Sequence, residues 1–565
     1  MDNFPLLSVI TYLPLVGMLA LFILPKVSND AARWIALGTS IVTFVVSLLL
    51  LSKGLPEVGG EAGKFAPMIF SEQYEWLPGI GISYHFGADG LSILFVLLTT
   101  LLTPLSIIIS WSSVSTRVRE FHISMLLLET GLIGAFLSLD LFLFYVFFEL
   151  SLIPMALIIG IWGSSNRVYS AIKFFLYTLA GSLLMLVAIV ATYQSYFNQT
   201  GKHTLDVLEL ATQTYGVPFQ YWVFAAFFIA FAIKVPMWPV HTWLPDAHTE
   251  APTAGSVMLA AVMLKLGGYG MLRFCLPLYP EAARYFAPAI MILSTIAIIY
   301  GALVALPQPD WKRLVAYSSV SHMGFVTLGI FAFNQQALQG AVFVMFAHGL
   351  NTAALFLLVG IVYERAHTRT IKLFRGLSST MPIYAAFFCA FTFASIGLPG
   401  MTGFVGEFHA LMGAFRGPVS ASIGNLDLYR TTAIISTAVV ILSAWYMLWL
   451  FQRVAQGTAP GLQLAHAHAG GHGGHDAHGH EADHGGDQID QDHRAAPDAH
   501  GVETGHDPHD PAEAASHDMH LTDVKPREIL TLAPLLVLTI LFGVFPGPIF
   551  QLVSPTLESL LTAFK

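Results

Sequence analysis

Apolar runs recur along the whole chain, for example from Leu91 to Ser110, Leu141 to Ile161, Tyr221 to Ile233 and Leu530 to Val544. Against a hydrocarbon core about 30 Å thick, this pattern predicts about fourteen spans, centred near residues 15, 42, 100, 130, 150, 182, 228, 263, 295, 323, 350, 392, 440 and 538. The run that opens at Leu6 is followed by no small-residue cleavage site, so it reads as a retained first span. Basic residues alternate from loop to loop. With the N-terminus outside, the internal loops hold Lys26, Arg33, Arg117, Arg119, Arg167, Lys173, Lys312, Arg313, Arg365, Arg369, Lys372, Arg375, Arg453, Lys525 and Arg527. The external loops hold fewer, among them Lys53, Lys64 and Lys202, together with the acidic Glu57, Glu61, Glu72 and Glu75. This is the positive-inside bias, and an even span count puts both termini outside. The fold class expected is an all-α polytopic membrane protein.

Two spans carry helix breakers at their centre. In AFFIAFAIKVPMWPVHTWLPDAH, Pro236 and Pro239 remove backbone donors just after Lys234. In FCAFTFASIGLPGMTGFVGEFHAL, Gly397, Pro399, Gly400 and Gly403 interrupt the helix shortly before Glu407. Two breaks at corresponding places point to a duplicated unit of about five spans. They also point to a transport site, because irregular backbone is tolerated at membrane depth only where protein or a water-filled cavity satisfies it.

Ionisable residues sit beside or between these breaks. Lys265 lies in VMLAAVMLKLGGYG with no neighbouring charge, and Lys234 ends an apolar run. A mid-bilayer lysine costs at least about 2.5 to 3.5 kcal/mol to insert, so both should face the bundle interior and serve a purpose. Glu149, near mid-depth in LFLFYVFFELSLIP, needs a cation if ionised, and Lys234 is the natural partner across a helix interface. His322 in YSSVSHMGF and His348 in VFVMFAHGL can pass a proton by using their two ring nitrogens in turn. Lying between Lys265 and Glu407 in sequence, they read as a relay.

Composition narrows the function classes. The chain is 55% hydrophobic and 11% charged, where soluble domains carry about 25% charged residues. Its two cysteines, Cys275 and Cys389, suggest neither a disulfide framework nor a thiolate cluster. There is no phosphate loop, dinucleotide fingerprint or iron-sulfur spacing, so redox chemistry is expected on partner chains. From His466 to His520 the chain is polar and holds thirteen of the 22 histidines. It reads as a solvated internal linker, with no fixed four-ligand spacing for a metal.

The stretches FFELSLIPM, IKVPMWPVHTWLPDAHTEAPTAGSVMLA, MLKLGGYGMLRF, PDWKRLVAYSSVSHMGF, FAHGLNTAALFLLVGIVYERAHTR and GLPGMTGFVGEF run from Glu149 to Glu407. They resemble the antiporter-like proton-translocating subunits of bacterial NADH-quinone oxidoreductase, respiratory complex I, the group that includes subunit M and mitochondrial NADH dehydrogenase subunit four. The resemblance implies fourteen helices with two inverted five-helix repeats, each containing a discontinuous helix. The chain then divides into helices 1–3 over residues 1–120, helices 4–8 over 121–275 and helices 9–13 over 284–455. A His-rich cytoplasmic loop follows over 456–525, then helix 14 and a tail over 526–565.

The resemblance further implies that Glu149 and Lys234 form a control pair, Lys265 is the central carrier, and His241, His248, His322 and His348 belong to the proton relay, with Glu407 the exit-side acid. It places the chain in the bacterial inner membrane beside the antiporter-like subunits L and N. No cofactor or metal is expected on this chain, since flavin mononucleotide, iron-sulfur clusters and quinone belong to partner subunits, and no nucleic acid is expected. A multi-subunit sodium/proton antiporter and a membrane-bound hydrogenase use similar subunits and are the alternatives; a scaffold whose only activity is metal binding is a third. Deleting residues 466–520 is expected to leave assembly and pumping of the complex near normal. A severe loss of either, read by native electrophoresis and vesicle acidification, would contradict the linker reading.

Overall fold

A computed structural model describes residues 4–24, 28–54, 65–417, 422–423, 426–457 and 521–564. Most of the His-rich segment expected at 456–525 lies outside the described residues, as do Lys26, Glu57, Glu61 and Lys64. In chain order the helices are α1 (Leu6–Ile23), α2 (Asn29–Leu51), α3 (Gly90–Ser113), α4 (Val118–Leu137), α5 (Leu141–Trp162) and α6 (Arg167–Thr200). Next come α7 (Val217–Lys234), α8 (Trp243–Glu250), α9 (Thr253–Leu278), α10 (Pro280–Ala305), α11 (Trp311–Ile330) and α12 (Gln335–Ala366). The last are α13 (Pro382–Ile396), α14 (Thr402–Phe415), α15 (Leu428–Ala455), α16 (Pro526–Val544) and α17 (Gly547–Thr562). All but α8, α11, α13, α14 and α17 are long and apolar enough to cross a membrane, which makes 12 among the described residues.

The chain is not purely α. An antiparallel hairpin, β1 (Phe70–Leu77) and β2 (Ile82–Ala88), precedes α3. Its strands are rich in aromatic residues, among them Tyr74, Trp76, Tyr84 and Phe86, which favour a pleated, half-buried surface. Gly81 turns the chain at φ 69°, a conformation that only glycine adopts without steric cost. Glu72 ties the hairpin to the start of α1 by accepting the Leu7 and Ser8 amides at 2.6 and 3.0 Å. The tail expected after helix 14 is itself helical: α17 seats Val553 and Leu557 in the core.

The loops gather at two ends. At one, Arg33 donates to the Val114 carbonyl oxygen (3.0 Å), Arg119 to that of Phe22 (2.8 Å) and Arg527 to Ser112 Oγ (3.1 Å). At the same end Arg365 grips both carboxylate oxygens of Glu528, at 3.0 and 2.7 Å. The other end holds the β-hairpin, where His85 meets Asp206 at 2.5 Å. Successive helices alternate between this basic end and the hairpin end.

Each helix chooses its faces as lipid demands. On α6 the buried side sets Thr178, Gly181, Ser182 and Thr192 among Phe174, Met185 and Ile189, while Leu183, Leu184, Val187 and Val190 point outward. Large apolar side chains face outward because apolar surface costs nothing against hydrocarbon, and the small residues let backbones approach. The α9 span is buried over its whole length and α12 over all of its apolar middle, and α3 and α4 nearly so. They form the centre around which the other helices stand.

A buried ion pair pins this centre near the hairpin end. Asp89 caps α3 by accepting the Ser92 amide (3.0 Å) and binds Arg273 of α9 at 2.6 Å, both side chains 1% exposed. Arg273 also donates to Tyr269 Oη and Ser92 Oγ, each at 3.1 Å. Removing one partner of such a pair strands a charge, at about 3–5 kcal/mol. Asp89→Asn or Arg273→Leu is therefore expected to lower the melting temperature of the purified complex sharply, and the Asp89→Leu/Arg273→Leu double variant less. Equal losses in the single and double variants, read by thermal unfolding, would remove the coupling.

Candidate functional site

The α7 helix stops at Lys234, where Pro236 and Pro239 deny the next turn its donors, and the chain resumes as α8 and then α9. Within α9, two π turns, Leu259–Met263 and Met271–Cys275, flank the α-helical stretch that carries Lys265. Such widened turns occur frequently at functional sites. Here the Ala260 carbonyl oxygen accepts a hydrogen bond from Lys265 Nζ at 2.5 Å. The same ammonium nitrogen lies 2.7 Å from His348 Nδ1 on α12. Because an ammonium only donates, His348 Nδ1 is the acceptor in this contact and Nε2 holds the ring proton.

From His348 the row continues. The His348 and His322 rings are 5.9 Å apart between centroids. His322 Nδ1 lies 2.8 Å from Glu407 Oε1, and its Nε2 is within 3.4 Å of Ser395 Oγ and 3.5 Å of Tyr446 Oη. His322, His348, Asn351, Ser395 and Glu407 line a cavity of about 20 Å³, room for about one water. Glu407 reaches this place because the α13 helix ends at Gly397, which takes φ 83° and starts the turn into α14. A Cβ at Gly397 would stand 3.3 Å from Glu407 Oε2, so glycine there also leaves the carboxylate its space.

The structure thus brings together Lys265, His348, His322 and Glu407. It does not bring Glu149 and Lys234 into an ion pair, which corrects the pairing expected from sequence. They interact electrostatically, but no contact within 4.0 Å forms. Instead the Phe148 ring, one residue before Glu149, takes the place under Lys234 Nζ, 4.7 Å from its centroid. Lys234 Nζ and Glu149 Oε1 are both buried without a hydrogen-bond partner. Glu149 itself is half-buried on α5.

His248 is fully buried, stacked on Phe356 at 4.7 Å with 14° between planes, and neither ring nitrogen has a hydrogen-bond partner. It interacts electrostatically with both Lys265 and Lys312. His241 stands apart, edge-on to Tyr300 at 5.2 Å. Among the described residues no group of three or more His, Cys, Asp or Glu side chains is arranged to hold a metal ion.

Sequence reading missed two buried groups. Lys312 counts as a loop cation in the charge pattern, yet it is 5% exposed, and its Nζ donates to the Ala251 carbonyl oxygen. With Glu250, Thr253, Glu364 and Arg369 it lines a polar cavity of about 470 Å³ at the basic end. Its position as the second residue of α11 gives little signal. Glu129 was easier to find, since LLLETGLIGAF sets an acid within an apolar run. It is fully buried on α4.

Residues 138–424 match the family model described as NADH:quinone oxidoreductase/Mrp antiporter, TM. The chain is 50% identical over 469 residues to NADH-quinone oxidoreductase subunit M of Rhodobacter capsulatus, covering 80% of this chain and 86% of that one. It is 38% identical to the subunit of the same name in Rickettsia conorii, over the full length of both. Identity to NADH-ubiquinone oxidoreductase chain 4 of Marchantia polymorpha is 46%, over 80% of this chain and 86% of that one. Among solved structures, a chain of respiratory complex I from Thermus thermophilus with bound NADH superposes with a TM-score of 0.77 at 28% identity, covering 99% of this chain and 100% of that one. A chain of the Mrp complex from Dietzia sp. shares the fold, with a TM-score of 0.74 at 21% identity over 99% of both. The matched span, the extent of these likenesses and the agreement of fold show that the chain belongs to the NADH:quinone oxidoreductase/Mrp antiporter transmembrane family, among its members named subunit M or chain 4 of NADH-quinone oxidoreductase.

Proposed function

We propose that this chain translocates protons through the row Lys265, His348, His322 and Glu407 as an antiporter-like membrane-arm subunit of complex I, driven by NADH oxidation and quinone reduction on other subunits. The observation that carries this reading is the succession of those four side chains across α9, α12, α11 and α14, two close contacts separated by a gap that the small cavity lines. A proton leaves Lys265 Nζ for His348 Nδ1, and His348 gives up the proton on Nε2 toward the small cavity. There one water bridges to His322, which passes a proton to Glu407. Each histidine accepts on one nitrogen and releases from the other, so no step leaves a second charge in the low-dielectric interior.

Uptake runs from the polar cavity at the basic end through Lys312 and His248 to Lys265. Glu149 and Lys234 act as the control pair. Apart, as here, each is buried or half-buried with an unpartnered polar atom. Brought together, they would satisfy one another, and that difference lets a change elsewhere in the complex switch the lysine between holding and releasing its proton. His241 lies beside this pair's helix and serves as a side branch of the relay.

The architecture is fourteen spans, with α7 and α8 counted as one, α13 and α14 as one, and α17 left outside the count. The helices α4 to α9 and α10 to α15 are two inverted repeats, and the break falls in the fourth span of each. Support for the inversion comes from direction: α4 starts at the basic end, whereas α10 starts at the other. The basic end faces the cytoplasm of a bacterial cell, both termini face the periplasm, subunits L and N are neighbours, and flavin, iron-sulfur clusters and quinone sit on partners. The sodium/proton antiporter reading has behind it only the shared family model and a fold likeness at 21% identity, against 38–50% identity to chains named subunit M or chain 4.

Two outcomes test this. Glu149→Ala or Lys234→Ala is expected to leave the complex assembled while lowering proton pumping per NADH oxidised by at least about tenfold. Normal acidification of proteoliposomes by either variant would remove that residue from the mechanism. Lys265→Arg keeps the charge but cannot release its proton, so it should block pumping as fully as Lys265→Ala. An arginine variant that pumps normally would reduce Lys265 to a fixed charge.

A further inference from the structure

Glu407 meets His322 only because the chain bends between α13 and α14, and one amide touches every part of that bend. In an unbroken helix the Ala394 carbonyl oxygen would accept from the Leu398 amide. Here Leu398 donates to Phe393 instead, at 3.1 Å, and Ala394 keeps one long bond from the Gly397 amide, at 3.4 Å. At membrane depth such a carbonyl needs a donor from the protein. Asn351 of α12 supplies it, Nδ2 donating to the Ala394 carbonyl oxygen at 3.3 Å. That fixes how the carboxamide is turned, since a carbonyl oxygen only accepts. Asn351 Oδ1 then accepts from Thr402 Oγ1, at the first residue of α14, at 3.4 Å, and from Thr539 Oγ1 of α16 at 3.1 Å.

One side chain thus joins the end of α13, the start of α14 and the span behind them. Behind the bend α16 leaves no slack: a Cβ at Gly543, one turn after Thr539, would overlap the Gly400 carbonyl oxygen and Met401 Cα. Glu407 is the sixth residue of α14, so the angle at which that helix leaves the bend sets where its carboxylate falls. Asn351 also lies one turn beyond His348 on the same face of α12, and it lines the small cavity with His348, His322 and Glu407. It is buried, and an apolar side chain of its size would cost less to bury there. Its three hydrogen bonds offset that cost, and all three are made to the bend or to the helix that backs it.

We infer that Asn351 is a positioning residue of the relay, whose carboxamide holds the break between α13 and α14 at the angle that brings Glu407 onto His322. Asn351 itself carries no proton. Its consequence for pumping rests on the relay proposed above, whereas the geometry it fixes does not. Without the amide, the Ala394 carbonyl oxygen loses its side-chain donor and the Thr402 hydroxyl its acceptor, so α14 is free to swing and Glu407 withdraws from His322 Nδ1. Through Thr539 the same amide ties α16 to the break, so a shift of α16 is felt at Glu407.

The test is Asn351→Leu in the whole complex, read by electron cryomicroscopy and by acidification of proteoliposomes. The variant should part His322 and Glu407 beyond hydrogen-bond distance and lower proton pumping per NADH oxidised by at least about tenfold. A purely structural role would lower the yield of the complex and leave that contact in place. An assembled Asn351→Leu complex with Glu407 still on His322 therefore overturns the assignment. If Asn351→Leu does not assemble, the Thr402→Val/Thr539→Val double variant removes both donors to Oδ1 at nearly constant shape. It should part the same two side chains, and an unmoved contact there overturns the assignment instead. A parted contact with normal pumping would uphold the positioning and sink the relay reading, so the two failures are told apart.

Discussion

The cost of holding an ammonium group away from water governs this molecule. Lys265 sits on a span that is buried over its whole length, and its contacts are a backbone carbonyl oxygen and an imidazole nitrogen. Neither is an anion. The lysine is therefore solvated by dipoles that the helix itself supplies, and the π turns on either side of it belong to that arrangement. A charge held so weakly can be given up, whereas a charge held by a carboxylate, like Arg273 against Asp89, is fixed. The same bundle uses both devices about two turns apart on α9.

The helix breaks follow from the same constraint. A continuous α-helix spends every backbone donor and acceptor internally and presents only side chains to its neighbours. Ending α7 at Lys234 and α13 at Gly397 lets irregular backbone, small residues and a water-sized space gather beside ionisable groups. Glu407 depends on this directly, because its carboxylate stands against the glycine at the end of the preceding helix segment. The β-hairpin and α17 close the bundle at the end opposite the basic loops, where the buried Asp89 and Arg273 pair ties α3 to α9.

Much of this was legible in the chain. Hydropathy places the spans, the basic loops fall at one end, and the prolines and glycines mark where helices stop, because each of these is a local property read against a fixed solvent. A lysine or glutamate in an apolar run declares itself for the same reason: insertion cost is a property of the residue and its depth. What remained hidden concerned partners. Glu149 and Lys234 looked like a pair because both needed one, yet Phe148 takes the place beside the ammonium. Lys312 looked like a loop cation because it follows a loop, yet the start of α11 is covered by the α8 to α9 connection. The hairpin escaped because a single pair of short strands leaves little trace beside long apolar helices.

The sequence by itself determined that the chain lives in lipid, which residues would be expensive there, and where its helices must end. Tertiary structure alone decided that His348 receives Lys265, that His322 receives Glu407, and that Glu149 stands off from Lys234. Depth along a helix follows from counting residues. Which side chain meets which across helices depends on rotation and packing of the whole bundle, where a shift of one residue turns a side chain by about 100°.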